Sequence, residues 1–247
     1  MTSDPALEVV SVSKSYGRLP VLRDVSFSLP IGSCVGLIGP NGSGKTTLTE
    51  VISRFQDPDH GDVLFMGKRI TDLSASAVAR LGMRRVFQSS RYSMHLTARE
   101  NLELGVPIPS WRTLLARRVS VPAALAKLFS DLGVPPNDHV RMSSLTLFQR
   151  RCIELIRAML GDPKLVLLDE PTAGFTQSER RRFCALLAAW RTPSVAVLMI
   201  EHDFATIRSV CGRALVMNSG RIVADDSPDL LAASQLVRRI YLGSHAA

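Results

Sequence analysis

Eight consecutive residues, Gly39-Pro40-Asn41-Gly42-Ser43-Gly44-Lys45-Thr46, follow the apolar run Cys34-Val35-Gly36-Leu37-Ile38 and precede a helical stretch expected to begin at Thr47. Glycines at this spacing let the backbone curl until its N–H groups converge on phosphate oxygens, and the following helix adds the positive end of its dipole. In such a loop Lys45 neutralises the β- and γ-phosphates of a nucleotide, and the Thr46 hydroxyl ligates Mg²⁺. A second run, Leu165-Val166-Leu167-Leu168-Asp169-Glu170, is an apolar strand ending in two acids. Asp169 is suited to hold Mg²⁺ through water, and Glu170, one step past the strand, to polarise an attacking water as general base. An Asp-Glu-Pro turn closing a strand has the same local chemistry. The pairing with the glycine-rich loop assigns the acids to catalysis.

The elements that must position these groups follow from periodicity. Strand-like runs are expected at 8–12, 21–29, 33–38, 62–65, 84–87, 165–168, 196–200, 214–217 and 221–224, separated by helical stretches, and that alternation predicts an α/β fold. Between 89 and 160 strand-like runs vanish and helical segments dominate, around 98–104, 111–117 and 122–132. This reads as a helical subdomain inserted into a nucleotide-binding core of about 1–88 and 161–247, within a single domain. No fixed-period repeat occurs.

Length and composition agree with one folding unit: 247 residues, 46% hydrophobic and 21% charged. The opening Met-Thr-Ser-Asp-Pro has no basic segment followed by an apolar core, so no secretory leader is expected. No apolar run reaches the roughly 18 residues a spanning helix needs. Cys34, Cys152, Cys184 and Cys211 are far apart in sequence and lack metal-site spacing, which predicts buried reduced thiols. The net charge of +8 is spread along the chain. The pairs Arg84-Arg85, Arg117-Arg118 and Arg150-Arg151 and the run from Arg180 to Arg182 read as solvated helix faces. No basic and aromatic stripe offers a stacking platform, so nucleic acid is not an expected partner.

Further motifs stand in the order used by ATP-binding-cassette (ABC) transporter ATPases, and the chain resembles that family over nearly its whole length. The resemblance implies a P-loop NTPase fold: a RecA-like core, an N-terminal antiparallel β subdomain and an inserted α-helical subdomain. It implies ATP and Mg²⁺ as ligands. Tyr16 matches the family's adenine-stacking aromatic residue. Gln88, in Val86-Phe87-Gln88, matches the glutamine that touches Mg²⁺ and water and hinges the helical subdomain. His202, in Ile200-Glu201-His202-Asp203, matches the switch histidine at the γ-phosphate. The phrases Ala79-Arg80-Leu81-Gly82, Ile200-Glu201-His202-Asp203 and Tyr241-Leu242-Gly243 are similar to ATPases of branched-chain amino acid importers and related amide or urea importers. The lipopolysaccharide-export ATPase is similar around Tyr241.

Two departures stand out. Where the family's signature reads Leu-Ser-Gly-Gly-Gln, this chain has Leu145-Thr146-Leu147-Phe148-Gln149. In the family this helix start caps the γ-phosphate of ATP held by the partner's P-loop. Thr146 keeps the hydroxyl, and Thr146 with Gln149 forms a capping box. Leu147 and Phe148 are expected to remove the room for close backbone approach and to set bulky groups beside a polyanion. The other departure is Thr176, in Ala173-Gly174-Phe175-Thr176, where the family often has aspartate; with Glu179 it again reads as a capping box. The resemblance therefore implies an ATPase working with a second, unlike ATPase subunit as a heterodimer. Transmembrane permease subunits and a solute-binding protein complete the expected assembly at the cytoplasmic face of the membrane.

Overall fold

A computed structural model describes residues 5–87, 92–105 and 140–243. In chain order its strands are β1 (Pro5–Tyr16), β2 (Leu19–Pro30), β3 (Cys34–Ile38), β4 (His60–Phe65), β5 (Lys68–Arg69), β6 (Met83–Val86), β7 (Leu165–Asp169), β8 (Ala196–Ile200), β9 (Arg213–Asn218) and β10 (Arg221–Asp226). Its helices are α1 (Lys45–Ile52), α2 (Ala75–Arg80), α3 (Ala98–Glu103), α4 (Leu147–Met159), α5 (Gln177–Trp190), α6 (Phe204–Val210), α7 (Pro228–Ala233) and α8 (Gln235–Gly243). The P-loop helix starts at Lys45, two residues before its expected start. The expected helices at 111–117 and 122–132, with Arg117-Arg118, lie outside the described residues.

Two sheets are stacked. One is antiparallel, in the order β2-β1-β4-β5, and the other runs β10-β9-β3-β8-β7-β6, parallel except for the β9–β10 hairpin. The central parallel strands are apolar on both faces, as a sheet covered on both sides requires. Side chains alternate between two cores with a period of two. Leu37, Leu167, Leu198 and Leu215 join Leu7, Val12, Val25 and α1 residues Leu48 and Val51 between the sheets. Ile38, Leu168, Met199 and Val216 face the other way, against Ile153 and Ile156 of α4, Phe183 of α5 and Ile207 of α6. Gly36 lets α6 approach, because a Cβ there would meet Ile207 Cγ2 at 2.6 Å.

Helix starts carry the capping chemistry their sequences announce. Thr146 Oγ1 accepts from Gln149 N at 3.2 Å while Gln149 Oε1 accepts from Thr146 N at 2.9 Å, and Thr176 with Glu179 repeats the arrangement at the start of α5. Asp203 caps α6 and also accepts from Arg180 Nη1 at 3.0 Å.

One expectation from the sequence needs correction. The pairs Arg84-Arg85 and Arg150-Arg151 are not both solvated helix faces: Arg84 and Arg85 lie on β6, and the Arg85 and Arg151 side chains are only 7% and 6% exposed, each facing a carboxylate. All four cysteines are free and buried as expected, yet Cys34 and Cys211, 177 positions apart, bring their Sγ atoms to 3.4 Å. The parallel pairing of β3 with β9 does this by setting the start of β3 beside the residues just before β9. No described helix is long and apolar enough to cross a membrane.

Candidate active site

The glycine-rich loop, the two acids and His202 all emerge at the carboxyl ends of β3, β7 and β8, which are neighbours in the order β3-β8-β7. Open α/β sheets bind ligands along that edge, because successive loops converge there. The loop is tightly built. A Cβ on Gly39 would lie 2.1 Å from the carbonyl oxygen of Met217, and one on Gly44 would lie 2.9 Å from that of Val21. Gly44, at φ 106°, turns the chain into α1 in a conformation other residues rarely adopt. Gly220 N donates to Ser43 O at 2.9 Å, so the β9–β10 turn buttresses the loop from outside.

Lys45 is buried, and its ammonium donates to the carbonyls of Gly39 at 2.8 Å and Pro40 at 2.9 Å. Burial lowers its pKa, while the nearby charges of Glu170 and Asp169 act to raise it. Ser43 is 3% exposed and its Oγ has no hydrogen-bond partner among the described residues. An orphaned hydroxyl and a buried ammonium in one loop, too tight for any Cβ at Gly39, fit a polyoxyanion such as a nucleotide's phosphates. Asn41 and Gly42 form the exposed rim, and Thr46 and Thr47 stand in the first turn of α1. The oxygen donors of Thr46 and Asp169 are of the hard type that Mg²⁺ takes.

Asp169 ends β7 and is 3% exposed, with Arg85 Nη2 3.0 Å from its Oδ2. Glu170 follows at φ 48°, a left-handed conformation costly for a side chain with a Cβ, and its N–H donates to Ile200 O at 3.0 Å. In this conformation Glu170 Oε1 hydrogen-bonds His202 Nε2. Two residues expected at the γ-phosphate are therefore in direct contact. Glu201, beside them, is 4% exposed and accepts from Thr172 N at 2.9 Å and Thr172 Oγ1 at 2.8 Å. Burial raises its pKa against those bonds. It anchors the loop after Glu170 to the start of the histidine segment, a role that a lone glutamate after an apolar strand does not announce.

Tyr16 ends β1 beside Leu19 and is 47% exposed, with the Lys14 ammonium 5.9 Å from its ring. It sits at the hairpin leading to Val21, whose carbonyl abuts Gly44. Tyr241 of α8 packs edge-on against Phe204 at 5.9 Å; burial pushes its hydroxyl up to about 12, against the opposing influence of the Gly39 backbone. Gln88 lies outside the described residues.

At the signature segment, Leu145 is buried, Thr146 caps α4 and Leu147 is 43% exposed. Phe148 corrects the expectation of a bulky group beside a polyanion: it is only 4% exposed, its ring meets Phe175 at 5.4 Å and 64°, and Arg182 lies 4.8 Å over it. Its neighbour Leu147 reaches the loop after Glu170, with Cδ2 3.2 Å from where a Gly174 Cβ would be. Leu147-Phe148 and Gly174-Phe175 are two sides of one contact, so the first departure in sequence packs against the loop that carries the second. The segments are 27 residues apart and only the fold joins them. Truncating Phe148 to alanine is expected to cost about 3–5 kcal/mol, read as a lower denaturation midpoint at unchanged m-value. A cost below about 1 kcal/mol is what an outward-facing ring would give.

A parallel sheet whose central strand opens into such a phosphate cradle, with acids on the strand two places away, defines the P-loop nucleoside triphosphatase class. Within that class the chain belongs to the ABC transporter family, whose profile matches residues 22–173, and it is the ATP-binding, ATP-hydrolysing subunit that works with transmembrane permease components. The chain is 31% identical to the high-affinity branched-chain amino acid transport ATP-binding protein BraF of Pseudomonas aeruginosa, over 98% of this chain and 99% of that one. It is 30% identical to the lipopolysaccharide export system ATP-binding protein LptB of Acidithiobacillus ferridurans, over 96% of each. The ribose import ATP-binding protein RbsA of Rhodococcus jostii is 31% identical, and the chain spans only 46% of its length. Among solved structures, the ADP conformation of MJ1267, an ATP-binding cassette of an ABC transporter, superposes with a TM-score of 0.81 at 26% identity, covering 98% of this chain and all of that one.

Proposed function

We propose that this chain energises import of branched-chain amino acids or a related small polar solute, as one ATPase of an unlike pair docked on permease subunits at the cytoplasmic face of the membrane. A solute-binding protein delivers the cargo. The near-complete mutual coverage with BraF supports the substrate class. The single observation that carries the unequal pairing is the contrast between the two halves of the chain's machinery. The loop from Gly39 to Thr47, Asp169, Glu170 and His202 lie together at one sheet edge, whereas the start of α4 presents Leu147 where close backbone approach to a phosphate is needed.

In this reading the backbone from Gly39 to Gly44, the Ser43 hydroxyl and Lys45 bind the phosphates, with Tyr16 stacking on adenine. Thr46, Asp169 and Gln88 hold Mg²⁺, which when bound screens charge on the β- and γ-phosphates. Glu170 accepts a proton from the attacking water, and His202, in contact with Glu170, orients against the γ-phosphate. Positioning and charge neutralisation supply most of the acceleration. A partner ATPase with an ordinary signature completes this site. The reverse site, capped by Leu145 to Gln149 of this chain, is mainly structural.

The domain reading belongs to the same proposal: one cassette, with a core of about 1–88 and 161–247 and a helical subdomain of about 89–160. Membrane subunits engage the groove between them. A cavity of about 570 Å³ lined by Arg80, Arg84, Leu104, Glu154 and Arg157 supports this reading.

The 30% identity to LptB over 96% of each chain, with the sequence likeness around Tyr241, supports a second reading as a lipopolysaccharide-export ATPase. A third reading, a non-catalytic regulatory subunit, rests on Leu147. Detergent pull-down from native membranes, followed by reconstitution of the recovered complex, separates them. The expected result is a solute-binding protein in the complex and ATP hydrolysis stimulated by leucine, isoleucine or valine. Stimulation by lipopolysaccharide without a binding protein contradicts the import reading.

A further inference from the structure

Arg85 stands on β6, inside the strand that leads to Gln88, and its side chain is 7% exposed. Its Nη2 lies 3.0 Å from Asp169 Oδ2 and 3.4 Å from Thr49 Oγ1, and its Nη1 donates to Ser53 Oγ at 3.1 Å. The Thr49 hydroxyl in turn donates to the Thr46 carbonyl at 2.8 Å. One guanidinium thus ties together the two elements that present the proposed metal ligands, β7 through Asp169 and α1 through Thr49 and Thr46. The same guanidinium stacks 4.6 Å from the ring centroid of Phe87, the residue immediately before Gln88. From the other side, Arg151 Nη1 of α4 donates to the Phe87 carbonyl at 2.9 Å, and Arg151 pairs with the buried Glu154.

A buried ion pair is weak evidence for stability, because desolvating both ions offsets most of their attraction. What such a pair does supply is direction. With Oδ2 held, the Asp169 carboxylate cannot rotate freely, and the place of its second oxygen is set by Arg85. Groups that hydrogen-bond a metal ligand from behind commonly change metal affinity by about 10–100-fold when altered.

We infer that Arg85 is a positioning residue for Asp169, and that by stacking on Phe87 it ties the orientation of that carboxylate to Arg151 near the start of the signature helix. The inference rests on the proposed role of Asp169 in holding Mg²⁺. Arg85 acts through Asp169, its guanidinium being engaged by Ser53, Thr49 and Asp169. Its effect is to make the metal-binding geometry depend on where the helix carrying Arg151 sits.

The test is equilibrium binding of a fluorescent ATP analogue to the full chain, with Mg²⁺ titrated and again in EDTA. Arg85→Lys keeps the charge and loses the planar fork. It is expected to raise the Mg²⁺ concentration for half-maximal tightening about 10-fold and to leave affinity in EDTA within about two-fold. Phe87→Leu removes the stacking surface without touching the ion pair and is expected to shift the Mg²⁺ requirement the same way, roughly three-fold. Thermal melting of both variants confirms that they fold. An unchanged Mg²⁺ requirement in Arg85→Lys overturns the inference, as do affinities that fall equally with and without Mg²⁺, the pattern of a merely structural staple. Asp169→Asn separates the two layers. If it shifts the Mg²⁺ requirement and Arg85→Lys does not, this inference alone fails; if it does not shift it, the metal role of Asp169 fails first.

Discussion

Glu170→Gln lowers the steady-state ATPase rate of the assembled complex about 10²–10⁴-fold, the usual range for removing a positioned general base, and leaves ATP binding within about two-fold of wild type. The expectation follows from where Glu170 sits. It is held in a left-handed backbone conformation one residue past β7, with its carboxylate against His202. Glutamine is isosteric, so the loop and the hydrogen bond to Ile200 O survive, and only the basic oxygen is lost. Rapid-quench measurement of phosphate release distinguishes a slowed chemical step from slowed opening. An undiminished rate would place catalysis in the partner's site and leave this chain a regulatory subunit.

Lys45→Ala weakens ATP binding about 10–100-fold, corresponding to roughly 1.5–3 kcal/mol for hydrogen bonds to a charged group. The ammonium is held by the Gly39 and Pro40 carbonyls at the mouth of the cradle, and burial has already lowered its pKa. Burial disfavours its charge, and the nearby Glu170 and Asp169 carboxylates favour it. Isothermal titration gives the affinity directly. A loss of two-fold or less shows that backbone N–H groups alone hold the phosphates.

These two residues were legible in the sequence because their chemistry fixes their surroundings. A phosphate cradle needs glycines where a Cβ would collide with Met217 or Val21, and a metal-facing acid needs an apolar strand to end on it. The strands were legible for a similar reason. Those buried on both faces read as short apolar runs, and β8 matches its expected span of 196–200 at both ends. Strands of the outer sheet ran longer than expected, because β1 and β2 continue through polar residues such as Ser13 and Ser15 that a pairing partner tolerates and a hydrophobicity pattern ignores.

What the sequence hid was contact between distant segments. Arg85 in Met83-Arg84-Arg85-Val86 has the look of a solvated charge until β6 is set beside β7, which brings Asp169 within 3.0 Å. Phe148 has the look of an obstruction until α4 is seen to turn it onto Phe175. Glu201 gains a purpose only when Thr172, 29 positions earlier, arrives at its carboxylate. Each depends on non-local packing that local residue types do not encode.

The proposed unequal pairing has this chain hydrolyse ATP in a site that a different subunit completes. The direct measurement is the ATPase rate of the partner ATPase alone, and of the purified chain alone and paired with it, the chain carrying either wild-type Glu170 or Glu170→Gln. Unequal pairing gives little turnover by this chain alone, robust turnover by the pair, and loss of that turnover when Glu170 is replaced. Robust hydrolysis by the isolated chain, abolished by Glu170→Gln, would show that two copies with Leu147 and Phe148 in the signature complete each other's sites, and would contradict the unequal pairing.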